Sequence, residues 1–230
     1  SQCNGVFYNP TVTYLPPKRA DGSDFPDSTW PNAPVDGFNL GAGTANLSTQ
    51  FWWYYNSSSG AANYFVYNGT QTQTTQKTYN DPASTFYLEC DQTRNTTSTS
   101  WTPVTVSATS GIGGTDERIN FANWFTYYRT RMLTMKTSAG RAFNQLDDDF
   151  RIGFSSLNNS GPTNDFLNIN DFDATQKTNW YAKLYSAVAN SGTPLRESLA
   201  EAGLVFSGRA TTINGVAVTD PVQYSCQQNY

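Results

Sequence analysis

The sequence predicts an α/β chain in which a β-rich first half, residues 1–115, precedes a layered α/β second half, residues 116–230. Charged residues number eleven in the first half and twenty-one in the second, and the spacing of the apolar residues changes at the same place. In the second half, the order helix, strand, strand, helix, helix around one buried strand is typical of a layered α/β domain.

Short apolar stretches divided by turn residues mark the first half. Such stretches, bounded by Pro, Gly, Asn and Asp, predict short strands. The predicted strands cover residues 5–8, 11–15, 50–55, 63–67, 84–88 and 101–106. The Asn68-Gly69 pair predicts a hairpin turn after the fourth strand. Residues 21–34 are predicted to form a solvated loop, and the glycine-rich residues 107–114 a hinge between the halves.

Apolar residues at helical spacing predict three helices in the second half. Thr115, Asp116 and Glu117 provide a cap and favourable negative charge at the start of the first helix. The predicted elements are a helix over about 117–139, a buried strand over 150–157, a strand over 168–172, and helices over 175–189 and 195–206. Gly208 closes the last helix, whose apolar stripe is Leu195, Leu199, Ala202 and Phe206.

The composition argues against several classes of function. Fourteen Lys and Arg among eighteen Asp and Glu form no basic patch for a nucleic-acid partner. No apolar run approaches the roughly 20 residues of a membrane helix. The chain has no histidine, which removes Ser-His-Asp and Cys-His nucleophiles and the usual zinc ligand sets. The chemistry left to the chain is carboxylate, hydroxyl or thiol chemistry, or none.

Three cysteines, Cys3, Cys90 and Cys226, lie too far apart for a Cys-x-x-Cys metal or redox motif. The composition suggests an exported protein, in which disulfides persist. We expect one bridge and one odd thiol, with Cys3–Cys90 as the working pair and Cys226 as the other possible partner. Because the chain starts at Ser1 without Met or an apolar signal segment, we expect a processed or excised chain.

Acidic clusters offer candidate metal or acid/base sites, each with a structural alternative. Asp147-Asp148-Asp149 invites a calcium site, but consecutive residues point in different directions, which favours a solvated turn. Asp165, Asp171 and Asp173 have the spacing of a partial oxygen cage, and a solvated loop is again favoured. Glu197 and Glu201 could form an acid/base pair, although an exposed helix face with Arg196 is favoured.

Five adjacent aromatic residues, Phe51 to Tyr55, suggest either packing or a sugar-stacking platform. Adjacent residues of a strand point to both faces, so at least half of these rings must pack internally. The candidate ligand-binding residues are Trp52, Trp53 and Tyr55.

The segment Ser191-Gly-Thr-Pro-Leu195 has a complete structural interpretation. Thr193 is predicted to cap the last helix, with Pro194 at its first helical position.

The second half resembles the N-terminal von Willebrand factor A-like region of the PilY family, tip-associated adhesins and assembly factors of bacterial type IV pili. The stretches that carry the resemblance are Asn120–Leu133, Phe150–Phe154, Ser191–Arg196 and Tyr224–Tyr230. Tyr8–Pro17 and Asp36-Gly-Phe38 resemble the insertion that this family places before the helix. The resemblance implies that residues 1–115 are a β-rich inserted arm and residues 116–230 part of a von Willebrand factor A-like, Rossmann-like core.

In such a domain, three loops assemble a metal-ion-dependent adhesion site, and Thr193 matches the family's threonine. The Asp-x-Ser-x-Ser signature that would complete the site is missing from this sequence. One hydroxyl cannot hold a hard cation. We therefore assign no metal or other cofactor to this chain alone, and expect Mg²⁺ or Ca²⁺ only in the complete domain.

The two central strands of such a sheet are also missing from this sequence. A parallel sheet without its central strands cannot bury both faces, and residues 150–157 would form an unprotected edge. We therefore expect an incomplete domain that is completed by the remainder of the same polypeptide or by another chain.

The resemblance implies a non-enzymatic domain for cell adhesion and pilus biogenesis at the pilus tip, exported through the periplasm. Its expected partners are pilus components and a host surface. The alternative is a secreted, lectin-like domain whose aromatic residues stack on sugars.

Overall fold

The computed structural model describes residues 8–52, 59–67, 101–157, 165–189 and 192–222, with residues 224 and 226. Its helices in these ranges are α1 (Arg118–Tyr127), α2 (Arg131–Phe143), α3 (Ala174–Ser186) and α4 (Leu195–Phe206). The strands are β1 (Asn32–Pro34), β2 (Thr44–Asn46), β3 (Phe51–Trp52), β4 (Ser59–Gly60), β5 (Asn63–Tyr67), β6 (Trp101–Thr105), β7 (Arg151–Ser155), β8 (Phe166–Asp171), β9 (Thr212–Ile213) and β10 (Val216–Ala217). The mixed α/β class predicted from the sequence is confirmed.

The described strands form five antiparallel pairs: β1–β2, β3–β4, β5–β6, β7–β8 and β9–β10. The strand predicted over 150–157 is β7, which is half-buried rather than buried. A parallel connection needs a crossover of roughly a dozen or more residues. The link from Ser155 to Phe166 is shorter and joins an antiparallel pair.

Contacts divide the chain into two compact units. Unit 1 consists of Ser1–Pro16 and Pro26–Thr134, and unit 2 of Pro17–Phe25 and Met135–Tyr230. Composition placed the boundary at residue 115, so that α1 would belong to the second half. The contacts place α1 with the strands of the first half because the apolar residues of that half surround it.

In unit 1, α1 is buried on nearly every side. Its residues 121 to 127 are all buried. The polar Asn123 and Thr126 are among them, and both are hydrogen-bonded to Ser28. Phe121 has no exposed surface, and its ring centroid lies 4.8 Å from that of Tyr8 and 5.5 Å from that of Phe51. Residues 26–34 of the predicted loop over 21–34 also contribute to this unit, since Ser28 and Ala33 are buried and β1 lies among them.

The single helix predicted over 117–139 is two helices, α1 and α2. Tyr128 ends α1 with a hydrogen bond from its backbone N–H to the Trp124 carbonyl. The Arg129 guanidinium donates to the Phe125 carbonyl at 2.6 Å, which satisfies another terminal acceptor. The Thr130 hydroxyl accepts from the Leu133 N–H at 3.2 Å. The apolar spacing runs through this break, which is why it does not appear in the sequence pattern.

Unit 2 is built around Trp180 of α3. Its ring is 4 % exposed and stacks on Phe143 at 4.3 Å between centroids. Phe172 and Leu184 are buried in the same cluster, together with one face of the β7–β8 hairpin. The Asp173 carboxylate caps α3 by accepting from the Gln176 N–H at 2.8 Å. The helix predicted over 175–189 is thus confirmed, with its end at Ser186.

None of the helices in the described ranges has the length and apolar character that crossing a membrane requires.

Candidate functional site

The strongest candidate site is an apolar cleft in unit 2, between α4 and the β7–β8 hairpin. Its volume is about 270 Å³, and we call it the α4 cleft. It is lined by Gly153 to Leu157, Phe166, Leu167, Ile169, Ser198, Glu201, Ala202, Val205, Phe206 and Ile213. Its walls are thus one face of a two-stranded sheet and one side of a helix.

Two contacts hold α4 over the hairpin, and a glycine follows the end of the helix. The Ser198 hydroxyl donates to the Leu157 carbonyl at 2.6 Å. Val205 is buried in a cluster with Phe166 and Ile213. Gly208 follows the helix with a φ of 67°, a left-handed conformation that glycine adopts without strain. The helix therefore ends where the sequence predicted.

Gly153 forms part of the cleft wall because the sheet is irregular there. The register of β7 on β8 shifts between Ile152 and Phe154. A Cβ at position 153 would lie 2.7 Å from the Leu167 carbonyl oxygen. A residue with a side chain does not fit at this position without displacing β8.

The predicted apolar stripe of α4 is largely uncovered. Leu195 is 61 % exposed, Leu199 75 % and Phe206 52 %, and Val205 is the residue of the helix that is buried. Most of the stripe is therefore not packed in a core in the described part of the chain. The stripe faces the cleft at Ala202 and Phe206 and continues past it at Leu195 and Leu199.

Thr193 does not cap α4, contrary to the sequence prediction. The N-cap position belongs to Pro194, and no side chain caps the helix there. The Thr193 carbonyl accepts from the Leu195 N–H at 2.9 Å. The threonine thus lies one residue before the N-cap position. Its side chain is exposed at the entry to α4. The role of Thr193 as a metal ligand in a complete domain stays a prediction.

The acidic clusters have structural roles. Asp147, Asp148 and Asp149 have carboxylate oxygens within 4.8 Å of one another and are all exposed, in a turn where the Asp149 N–H donates to the Asp147 side chain at 3.2 Å. Asp171 pairs with Arg151 at 3.1 Å. Asp165 accepts from the Ser156 hydroxyl at 3.1 Å, and Asp173 caps α3. These residues form the solvated turn and loop contacts that the sequence favoured.

The aromatic and cysteine candidates fall mostly outside the described residues. Trp53, Tyr55, Cys3 and Cys90 are outside them, and Trp52 is described only as a residue of β3. Phe51 packs on Phe121 in the core of unit 1, and Cys226 is exposed. The Cys3–Cys90 pairing and the sugar platform stay predictions.

Sequence reasoning missed a buried carboxylate in unit 1. Glu117, 5 % exposed, accepts from the hydroxyls of Tyr8 at 3.0 Å, Tyr64 at 3.1 Å and Ser110 at 2.5 Å. Burial, with the Glu117 charge as the next cause, raises the pKa of Tyr64 to about 12. Burial also raises the pKa of Tyr8. Glu117 thus joins three distant segments, and no sequence motif marks the arrangement.

Comparison with known proteins identifies the family. The chain is 30% identical over 249 residues to the type IV pilus biogenesis factor PilY1 of Pseudomonas aeruginosa strain PAK, a match that covers 99% of this chain. The chain belongs to the PilY family. It is also 29% identical to PilY1 of strain UCBPP-PA14 over its full length and 34% identical to PilY1 of strain PAO1 over half of its length.

The chain spans about a fifth of the length of the PilY1 proteins that it matches over nearly its whole length, 20% in strain PAK and 19% in strain UCBPP-PA14. No family model matches the chain. No solved structure matches it either.

The stretches that suggested the PilY family contribute to both units. Asn120–Leu133 forms most of α1 and the start of α2, and its aromatic residues make the core of unit 1. Phe150–Phe154 covers most of β7. Thr193–Arg196 forms the entry to α4. Of these stretches, Phe150–Phe154 contributes Gly153 and Phe154 to the wall of the α4 cleft.

Proposed function

We propose that this chain is a non-enzymatic binding segment of a type IV pilus biogenesis factor, which acts in pilus assembly and surface adhesion at the pilus tip. The match to PilY1 over 99% of the chain carries the proposal. The matched proteins are pilus biogenesis factors by name, which supports a location at the cell surface. They give no support to the lectin-like alternative.

A binding role rather than catalysis is supported by what the described side chains do. The aspartates that suggested a metal site form an ion pair, a helix cap and loop contacts. The α4 cleft and the stripe of α4 offer apolar surface, and exposed apolar surface of this kind commonly marks an interaction site.

The test is a segment replacement in a piliated bacterium that carries this protein. A full-length factor in which residues 1–230 are replaced by a neutral linker is expressed in place of the intact factor. We expect fewer surface pili, counted by electron microscopy, and less adherence per remaining pilus. Wild-type values for both quantities would overturn the proposal. A loss of pili without a loss of adherence per pilus would restrict the function to assembly.

We also propose that Thr193 supplies one hydroxyl ligand to a divalent-cation site of the complete von Willebrand factor A-like domain. Its exposed side chain, which is not used as a helix cap, supports this role. Mg²⁺ and Ca²⁺ bind oxygen ligands, and the remaining ligands would come from outside this chain.

Cation binding to the full-length protein tests the role of Thr193. In calorimetric titration with Mg²⁺ or Ca²⁺, Thr193→Ala is expected to weaken binding by about tenfold or more. Thr193→Ser keeps the hydroxyl and is expected to bind like the wild type. Equal affinity of Thr193→Ala and the wild type would contradict the assignment.

A further inference from the structure

Residues 17–25 form a small hairpin, which we call the strap. They lie between the two parts of unit 1 in sequence but belong to unit 2. The Arg19 N–H donates to the Ser23 carbonyl at 2.7 Å, and the Phe25 N–H donates to the Pro17 carbonyl at 2.8 Å. Because these hydrogen bonds close the hairpin on itself, the strap can dock or leave as one piece.

The strap is docked in unit 2 by residues of α3 and of the chain after α2. The Tyr185 hydroxyl of α3 donates to the Lys18 carbonyl. The Tyr185 ring also packs edge-on against the Phe25 ring, with 5.5 Å between centroids. The Asn144 side chain donates to the Arg19 carbonyl at 3.2 Å. Tyr185 therefore makes both a polar and an apolar contact with the strap.

The residues on either side of the strap are bonded to the end of α1 in unit 1. The Tyr128 hydroxyl donates to the Leu15 carbonyl at 2.6 Å, and the Tyr127 hydroxyl donates to the Pro26 carbonyl at 2.9 Å. Tyr127 is the last residue of α1, and Tyr128 is its C-cap. Two adjacent tyrosines thus hold the chain before and after the strap.

The connections between the strap and these two bonded residues have no spare length. Only Pro16 separates Leu15 from the strap, and Pro26 follows the strap directly. Prolines at positions 16, 17 and 26 stiffen both connections, because the pyrrolidine ring fixes φ. A docked strap therefore restrains Leu15 and Pro26 beside the tyrosine hydroxyls of α1.

We propose that the strap couples the two units. While it is docked in unit 2, it restrains the end of α1 in unit 1, and its release loosens that end. Such coupling requires an element with two arrangements whose equilibrium both sides bias, and the docked and released strap are these arrangements. Binding to unit 2 that displaces the strap would thus loosen α1. This inference goes beyond the proposed function and does not rest on it.

Hydrogen exchange in the full-length protein measures the coupling. Tyr185→Phe removes the hydroxyl that bonds to the strap and keeps the ring beside Phe25. We expect the amides of residues 19–25 to exchange about tenfold faster in this variant, and the amides of residues 124–128 in unit 1 about threefold faster or more. Unchanged exchange in either set of amides would overturn the proposal.

A spacer variant separates the strap from a second connection, since α2 begins in unit 1 and continues into unit 2 after Thr134. The linker Gly-Ser-Gly-Ser is inserted at both ends of the strap, before Pro17 and after Phe25. Because the spacers remove the restraint, we expect residues 124–128 to exchange as fast as in Tyr185→Phe, with either Tyr or Phe at position 185.

The matched control carries the same linker after Gly113, in an exposed loop of unit 1, and should exchange at the wild-type rate over residues 124–128. Wild-type exchange there in the spacer variant would overturn the proposal, because the connections would then transmit no restraint. So would a further acceleration by Tyr185→Phe in the spacer variant, which would assign the coupling to α2, or equal acceleration in the control.

Discussion

Gly37 is a position where the backbone leaves no room for a side chain. Its N–H donates to the Thr126 carbonyl at 3.2 Å, and a Cβ there would lie 2.1 Å from Cε1 of Tyr127. We expect Gly37→Ala to lower the free energy of unfolding by about 1–3 kcal/mol, since Tyr127 is buried and must shift. Gly60→Ala, with no heavy atom within 4 Å of the added Cβ, is the control in urea denaturation. Equal stability of both variants would contradict the prediction.

The Glu117 network predicts how unit 1 responds to alkaline pH. Burial and the Glu117 charge raise the pKa of Tyr64 to about 12, above its ordinary value of 10.0. A tyrosine whose pKa is higher in the folded than in the unfolded protein contributes its full stabilisation at pH values below the unfolded-state pKa. This contribution is lost as the pH rises toward the folded-state pKa. The free energy of unfolding should therefore fall from about pH 10 upward, and less steeply in Tyr64→Phe. Denaturant unfolding at pH 8 to 11 measures this free energy. If it fell equally steeply with pH in the wild type and in Tyr64→Phe, the prediction would be refuted.

Single residues also show what the sequence could not reveal. Glu117 looks like a favourable charge at a helix start, and it does occupy the N-cap position of α1. Its partners Tyr8 and Tyr64 lie 109 and 53 residues away, so only the folded chain brings the hydroxyls to the carboxylate. Thr193 failed as a predicted cap for a local reason, because the helix begins one residue later than the motif suggests.

At the scale of elements, two helix starts in unit 2 make a direct contrast. The Asp173 carboxylate caps α3, whereas no side chain caps α4. We expect Asp173→Ala to cost about 1 kcal/mol of unfolding free energy and Asp173→Asn much less, because asparagine also caps helices. Thr193→Ala should change stability by less than about 0.5 kcal/mol. If Thr193→Ala lowered the unfolding free energy as much as Asp173→Ala, the prediction that Thr193 caps α4 would be correct after all.

Helices were the most predictable elements, with α3 and α4 placed within a few residues. Their apolar periodicity is a local property, so the sequence contains it. Strand pairing depends on which distant segments meet, and the orientation of β7 beside β8 could not be obtained from the strand's own residues. The exposure of the α4 stripe could not be predicted from its residues, because periodicity identifies an apolar face without identifying what packs on it.

At the scale of the whole molecule, contacts assign α1 to the strands before it. A piece that covers residues 116–230, the second half by composition, should therefore expose Phe121, Trp124 and Phe125, which are at most 7 % exposed in the intact chain. We expect this piece to bind the dye ANS strongly, as proteins with exposed apolar surface do. The intact chain is the control. A monomeric 116–230 piece that binds no more dye than the intact chain would show that α1 needs none of the preceding strands.

The division of the chain also sets an order of events during synthesis. Residues 17–25 lie between the two parts of unit 1 in sequence but belong to unit 2. There Asp24 pairs with Arg141, and the Tyr185 hydroxyl donates to the Lys18 carbonyl. The ribosome adds about 160 residues between Phe25 and Tyr185, which takes on the order of ten seconds at about 5–20 residues per second. Unit 1 can therefore fold before residues 17–25 meet their partners in unit 2.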